Sequence, residues 1–184
     1  MSNDTAAPEA LTLYTYFRSS AAFRVRIALN LKGLKPEQRF VHLLRHEQSD
    51  EAYRRLNPQA VVPTLVHDGH ALGQSLAIIE YLDEIVPRPA LLPADPYPRA
   101  NVRQIAQAIA CEIHPLCNLR VREYLRDGLK LDDDALAQWQ RHWIGLRISI
   151  PTRSIKSGRN ALAAPSVWYI TWTPYERANS AILT

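Results

Sequence analysis

Residues Tyr14 to Leu31 read YTYFRSSAAFRVRIALNL, and this stretch decides the fold. Leu11 to Tyr16 alternates Leu-Thr-Leu-Tyr-Thr-Tyr, the period of a strand, with aromatic and β-branched residues in support. The strand gives way to a hydroxyl pair, Ser19 and Ser20, and a helix starts at once. Phe23, Ile27 and Leu31 recur at i, i+4 and i+8, with Val25, Ala28 and Leu29 widening the apolar face. Lys32 and Gly33 mark the stop: a cation at the negative end of the helix, then the residue best suited to a left-handed cap. A serine before a helix is first of all an N-cap, and one of the pair is expected to serve as such. The other hydroxyl can then point outward at the positive helix end, ready to hold an anion. Local sequence does not separate the two roles.

Downstream, Arg39 to Leu43 has the composition of a second strand. Ser49-Asp50-Glu51 offers a cap and an acidic first turn for a short helix to about Leu56. Thr64 to His67 and His70 to Leu72 flank Asp68-Gly69, a pair suited to the turn that matches strand twist, so a hairpin is expected. Ser75 is expected to cap a third helix, with Leu76, Ile79 and Leu82 on one face and Pro87 beyond its end. The order β-α-β-α-β-β-α fits a small thioredoxin-like α/β domain over residues 11–87, with parallel pairing first and a hairpin last.

Between Pro87 and Pro98 lie five of the chain's 13 prolines, a density that predicts a stiff linker over 88–98 and a domain boundary. Val102, Ile105, Ile109, Ile113 and Leu116 then follow helical spacing, with Pro115 set to bend or end that helix. Asp132 to Asp134 can cap another helix carrying Leu136, Trp139, Trp143 and Leu146. Residues 99–146 are therefore expected to be all-α. From Arg147 to the end, 147–184, the helical period stops, Pro151 interrupts the chain, and Trp168 to Trp172 reads as strand-like.

A net charge of +4 is mild, and the Lys and Arg are scattered instead of clustered with aromatics, so no nucleic-acid surface is expected. No apolar run has the length of a membrane span, and the opening MSNDTAAPEA has neither the basic start nor the apolar core of a signal peptide. Cys111 and Cys117 form no C-x-x-C pair, which points to a reduced, cytoplasmic protein without structural disulfide or zinc. There is no nucleophile elbow and no phosphate-binding glycine loop, so the chemistry is expected to come from a bound cofactor.

Several residues can hold one. Gln74 and Ser75 place a carboxamide and a hydroxyl at a helix N-terminus, a good seat for a carboxylate. Val62-Pro63 opens the third strand, where proline is tolerated as a simple strand start. His114 and Asn118 share a face if the helix is continuous, although such a pair is more often a surface pair than a site. Arg18, Arg24 and Arg26 are either solvated or help attract an anion.

The run SSAAFRVRIALNLKG from Ser19 resembles the opening motif of the zeta-class glutathione transferases, the maleylacetoacetate isomerase family. NPQAVVPTL (Asn57 to Leu65), QSLAIIEYL (Gln74 to Leu82), PALLPAD (Pro89 to Asp95) and CEIHPLCNLRVREYL (Cys111 to Leu125) continue the likeness in order, over about Leu11 to Leu146. The last of these looks most like the bacterial isomerases of maleylacetoacetate or maleylpyruvate. The resemblance implies a thioredoxin-like domain followed by a helical one, incomplete here because the likeness fades in the tail. It implies glutathione as cofactor, a small anionic cis-enedione as substrate and a homodimer. By the same resemblance Ser19, with Ser20 beside it, stabilises the glutathione thiolate. Val62, before a cis Pro63, binds the cysteinyl backbone, Gln74 and Ser75 seat the γ-glutamyl carboxylate, and His114 and Asn118 reach glutathione from the second domain. Ala21 stands where many members carry a cysteine, so no protein thiol is available there. A general glutathione transferase and a non-catalytic binding protein are the alternatives.

Overall fold

The computed structural model describes residues 10–145, which fall into two compact units divided between Leu92 and Pro93. The expected strand-like run Trp168 to Trp172 and the rest of the tail lie outside the described residues.

The first unit is built on strand β1 (Thr12–Thr15), helix α1 (Ser20–Leu31), strand β2 (Glu37–Phe40), helix α2 (Glu51–Leu56), strands β3 (Thr64–His67) and β4 (His70–Leu72), and helix α3 (Ser75–Ile85). The sheet order is β2-β1-β3-β4, with β2 parallel to β1 and the other pairs antiparallel. The hairpin turns on Asp68 and Gly69, both at positive φ (49° and 76°), as a two-residue turn with matching twist requires.

Three expectations are corrected in detail. The apolar residues of α1 that are buried are Ala21, Ala22, Val25, Ala28 and Leu29, while Phe23, Ile27 and Leu31 are half-buried. Both sets have helical spacing, and the smaller residues face inward because alanines let α1 approach α3 and the sheet closely. In α3 the buried apolar set is Ile78, Ile79 and Leu82, with Leu76 half-exposed. β2 begins two residues before the expected Arg39 and ends at Phe40; all four of its residues are exposed, so no alternation marks it.

The core between sheet and helices is formed by Leu13, Val25, Leu65, Ile78, Ile79, Leu82 and Leu91, each at most 2% exposed. Helix α1 closes as its sequence predicts. The Leu34 N–H donates to Leu29 O (2.9 Å) and the Gly33 N–H to Asn30 O (3.1 Å), with Gly33 at φ 68°. Lys32, in contrast, is not a solvated end-of-helix cation. Its side chain is fully buried and its ammonium donates to Asp83 Oδ1 (2.5 Å), Val86 O (2.6 Å) and Pro89 O (2.6 Å). The same Asp83 oxygen accepts from the Leu91 N–H at 2.8 Å.

In the second unit, α4 (Pro96–Gln107) starts inside the proline-rich segment. The expectation that 88–98 is wholly linker is corrected there: Pro96 and Pro98 occupy the first helical turn, where backbone N–H groups have no partner to lose. A π-helical stretch over Ala108–Ile113 and a 3-10 turn over Pro115–Cys117 follow. Helices α5 (Leu119–Glu123) and α6 (Asp133–Gly145) complete the unit, with the Asp132 carboxylate capping α6 through the Ala135 N–H (2.8 Å). Ile105, Ile109, Ile113, Leu125 and Leu136 are buried, and the Trp139 indole donates to Leu116 O at 2.8 Å.

Candidate functional site

The register of the sheet brings three distant segments to one edge. Tyr14 pairs with Thr64 and Leu65 with Leu72, so the end of β1, the start of β3 and the end of β4 lie together. Immediately beyond these points come Ser19-Ser20, Val62-Pro63 and Gln74-Ser75. Helices α1 and α3 both begin at that edge, and each directs the positive end of its dipole there.

Ser19 is the N-cap of α1: its Oγ accepts from the Ala22 N–H at 3.2 Å. Accepting occupies oxygen lone pairs only, so the hydroxyl keeps its proton for donation outward. Capping thus orients the group that the second role needs, and the two roles fall on one residue. Ser20 follows as the first helical residue and is half-buried.

The loop that delivers Ser19 is tied down by Arg26. Its guanidinium donates to Thr15 Oγ1 (2.8 Å), Tyr16 O (3.2 Å) and Phe17 O (3.4 Å), and burial pulls its pKa below the ordinary arginine value. Arg24 is only 3% exposed. Arg24 is therefore not a solvated cation, which corrects that option for it, whereas Arg26 is half-buried and engaged with the loop, and Arg18 is exposed.

The Val62–Pro63 peptide is cis. Val62 stands beyond the ladder of β3, whose first paired residue is Thr64, so an extended ligand can continue the strand pairing at Val62. A buried polar network beneath this segment went unnoticed in the sequence. Asn57 Nδ2 donates to Val61 O and Thr64 Oγ1, both at 2.9 Å, and Asn57 Oδ1 accepts from the Gln59 N–H at 3.1 Å. The Tyr53 hydroxyl donates to Val61 O (2.7 Å) and lies 2.9 Å from Thr64 Oγ1. Burial pushes the Tyr53 phenol above its ordinary pKa. With Asn57 5% exposed, Asn57→Ala is expected to lower stability by about 1–3 kcal/mol, because Val61 O and Thr64 each lose a buried partner; urea unfolding reads this directly.

Helix α3 differs from expectation at its start. Its N-cap is Gln74, not Ser75, which is the first helical residue and 6% exposed. Gln74 holds φ 64° and ψ 111°, outside the conformation a side-chain cap requires, and makes no capping hydrogen bond. The first N–H groups of α3 therefore face the edge without a side-chain cap. A non-glycine residue at such angles is strained, a condition common where a ligand is clamped. The Gln74 amide donates to Gln59 Oε1 at 2.7 Å.

His114 and Asn118 belong to the second unit, both half-buried. They do not share one helical face as a continuous helix would require. The 3-10 turn Pro115–Cys117 separates them, and Asn118 is extended (φ −67°, ψ 153°) as the N-cap of α5. Helix α4 and the π-helical stretch after it border an open groove of about 740 Å³, lined by Arg99, Arg103, Gln107, Cys111 and Glu112 among others, and neither His114 nor Asn118 lines it. Among the described residues no three His, Cys, Asp or Glu side chains cluster as metal ligands. No helix among them is long and apolar enough to cross a membrane.

Comparison with known proteins agrees with this architecture. The family described as glutathione S-transferase, N-terminal domain, matches residues 13–90. A probable maleylacetoacetate isomerase of Vibrio cholerae is 50% identical over 137 residues, covering 73% of this chain and 64% of that protein. The chain thus spans just under two thirds of the length of this and of two further curated relatives. The holo structure of a maleyl pyruvate isomerase, described as a bacterial zeta-class glutathione S-transferase, superposes with TM-score 0.75 at 37% identity, covering 90% of this chain and 84% of that one. A maleylacetoacetate isomerase of Methylobacterium extorquens AM1, solved with bound malonate and glutathione, gives TM-score 0.76 at 34% identity, covering 86% and 80%. With its sheet order, its cis-proline strand start and these relatives, the chain belongs to the zeta class of the glutathione S-transferase family.

Proposed function

We propose that this chain is a glutathione-dependent cis–trans isomerase of a small anionic cis-enedione, maleylacetoacetate or maleylpyruvate, acting in the cytoplasm as a homodimer. The observation that carries the proposal is the single edge where the N-termini of α1 and α3, the Val62 backbone and the strained Gln74 converge. These groups fit glutathione by chemistry: a hydroxyl donor at a helix N-terminus for a thiolate, an open strand position for a peptide, and uncapped N–H groups for a carboxylate. When bound, glutathione supplies a thiolate that adds to and leaves a conjugated cis double bond, with rotation about the single bond in between.

The chain's own residues make that thiolate available. A free thiol has a pKa near 8.5, and the Ser19 hydroxyl with the α1 dipole lowers it by favouring the anion. Ser20 stands beside Ser19 as a second hydroxyl. Gln74 and Ser75 seat the γ-glutamyl end, and Val62 pairs with the cysteinyl backbone. Ala21 offers no thiol, so none of the nucleophile comes from the protein at that position.

The test is product analysis. Incubation with either cis substrate and catalytic glutathione is expected to give the trans isomer with glutathione returned unchanged. Accumulation of a stable glutathione conjugate, or no turnover, overturns the proposal. Ser75→Ala is expected to weaken glutathione binding about tenfold by calorimetry, the loss of one hydrogen bond to a charged group, with little effect on kcat at saturation.

A further inference from the structure

The loop that carries Ser19 is fixed by a side chain from inside the helix it precedes. From about two turns into α1, the Arg26 guanidinium reaches back to Thr15 Oγ1 (2.8 Å), Tyr16 O (3.2 Å) and Phe17 O (3.4 Å). The Phe23 ring, its centroid 5.4 Å from the same guanidinium, steadies it from the helix side. Thr15 is an anchored partner, fully buried, with its carbonyl accepting from the Val41 N–H at 2.9 Å. Phe17, at 68% exposed, has little packing to hold its backbone. Tyr16 O carries a second bond: it accepts from the Ser19 N–H at 3.0 Å, which closes the turn that delivers Ser19. Ser19 is thus held on the helix side by the Ala22 N–H and on the loop side by a carbonyl that Arg26 also grips.

We infer that Arg26 is a positioning residue for the thiolate donor: its guanidinium fork locks the Tyr16–Ser19 turn so that the Ser19 hydroxyl meets the sulfur of bound glutathione. This rests on the proposal that the edge binds glutathione with Ser19 at the thiolate. The cap alone does not place that hydroxyl. A cap needs only Ser19 Oγ and the Ala22 N–H, which move together with α1, whereas the ligand's peptide is registered on Val62 in the sheet. The separation of hydroxyl and sulfur therefore depends on how the start of α1 is tied to β1. Arg26 makes that tie, since it is rooted in α1 and bonded to Thr15, the last residue of β1. Its two terminal nitrogens divide the work, Nη1 serving Thr15 and Tyr16 and Nη2 serving Phe17. A lysine ammonium carries the same charge on a single atom and does not reproduce this fork. Precision matters here, because a shift of about 1 Å in a group at the reacting atoms can cost on the order of 10²-fold in rate.

The experiment is a double-mutant cycle on the full chain, Arg26→Lys with Ser19→Ala. It is read by isomerisation at saturating glutathione and by the ultraviolet absorbance of the bound thiolate as pH is varied. Arg26→Lys is expected to raise the apparent pKa of the bound thiol by about one pH unit and to lower kcat about tenfold below that pKa, where the thiolate fraction falls in proportion. Glutathione affinity, measured where the thiol is protonated, is expected to stay within about twofold. In the Ser19→Ala background, Arg26→Lys is expected to change either readout less than about twofold, because the group it positions is gone. Additive losses mean that Arg26 acts without Ser19 and overturn the inference. An unshifted thiol pKa overturns it too, as does a loss of stability with kcat per folded molecule intact, the mark of a merely structural residue. Should Arg26→Lys fail to fold, Thr15→Val removes the strand-side acceptor and takes its place in the cycle, with the same non-additivity expected. The absorbance readout needs no turnover, so it decides the role of Arg26 even if the isomerase reading fails. If the unaltered chain binds no glutathione, the proposed site falls first and the role of Arg26 falls with it.

Discussion

Replacing Lys32 by methionine is expected to lower the unfolding free energy by about 3–5 kcal/mol, among the largest effects available in the first unit. The side chain is fully buried, and its three donors are matched by Asp83 Oδ1, Val86 O and Pro89 O. Methionine fills similar volume but leaves the Asp83 carboxylate without its cation and strips a partner from two carbonyls. A buried charge left unpaired is much more costly than the pair itself is worth, so the double variant Lys32→Met with Asp83→Leu is expected to recover part of the loss. Urea unfolding with unchanged slope is the measurement. A single-variant loss below about 1 kcal/mol, the range of exposed pairs, would show that the ammonium is solvated.

The second large effect is on activity. Ser19→Ala is expected to reduce glutathione-dependent isomerisation by about 10²-fold, the scale for removing one donor from a developing anion. The same change removes the α1 cap and costs about 0.5–2 kcal/mol of stability. Ser19→Asp separates the two roles. Aspartate caps a helix as well as serine does and suits the positive end of the dipole, so stability should stay near that of the unaltered chain. Its negative charge opposes a thiolate in the same place, so activity should fall at least as far as in Ser19→Ala. Retention of activity in Ser19→Asp would remove Ser19 from the thiolate site.

What was legible in the sequence is what is decided locally. Asp132 as a helix cap, the Asp68-Gly69 turn and the left-handed Gly33 all stand where neighbouring residues placed them, because a cap or turn needs only four or five residues to specify it. The order of strands followed from the same signals and from the rule that a strand–helix–strand unit closes in parallel. The facing of α1 was not legible, since Phe23, Ile27 and Leu31 have the same spacing as the residues that are buried, and only packing against α3 and the sheet decides between them. The exposed edge strand β2 carries no alternation to read. Ser75 looked like a cap because hydroxyls cap helices, whereas the backbone of Gln74 takes an orientation that no propensity favours. Tyr53, Asn57 and Thr64 each read as ordinary residues, and their partnership appears only when the chain folds back on itself.

The register that gathers Ser19, Val62 and Gln74 at one edge also fixes when they can meet during synthesis. The side-chain hydrogen bonds cited at this edge join residues no later than Gln74, helix α3 behind it ends at Ile85, and the staple at Lys32 is complete once Leu91 exists. The ribosome therefore finishes synthesising the whole edge before it begins α4. Within that interval the short-range β3–β4 hairpin can close first, whereas Tyr14 must wait for Thr64 across a long loop, the slower kind of closure. The synthesis of the second unit's helices thus begins with every residue of the edge already in the nascent chain.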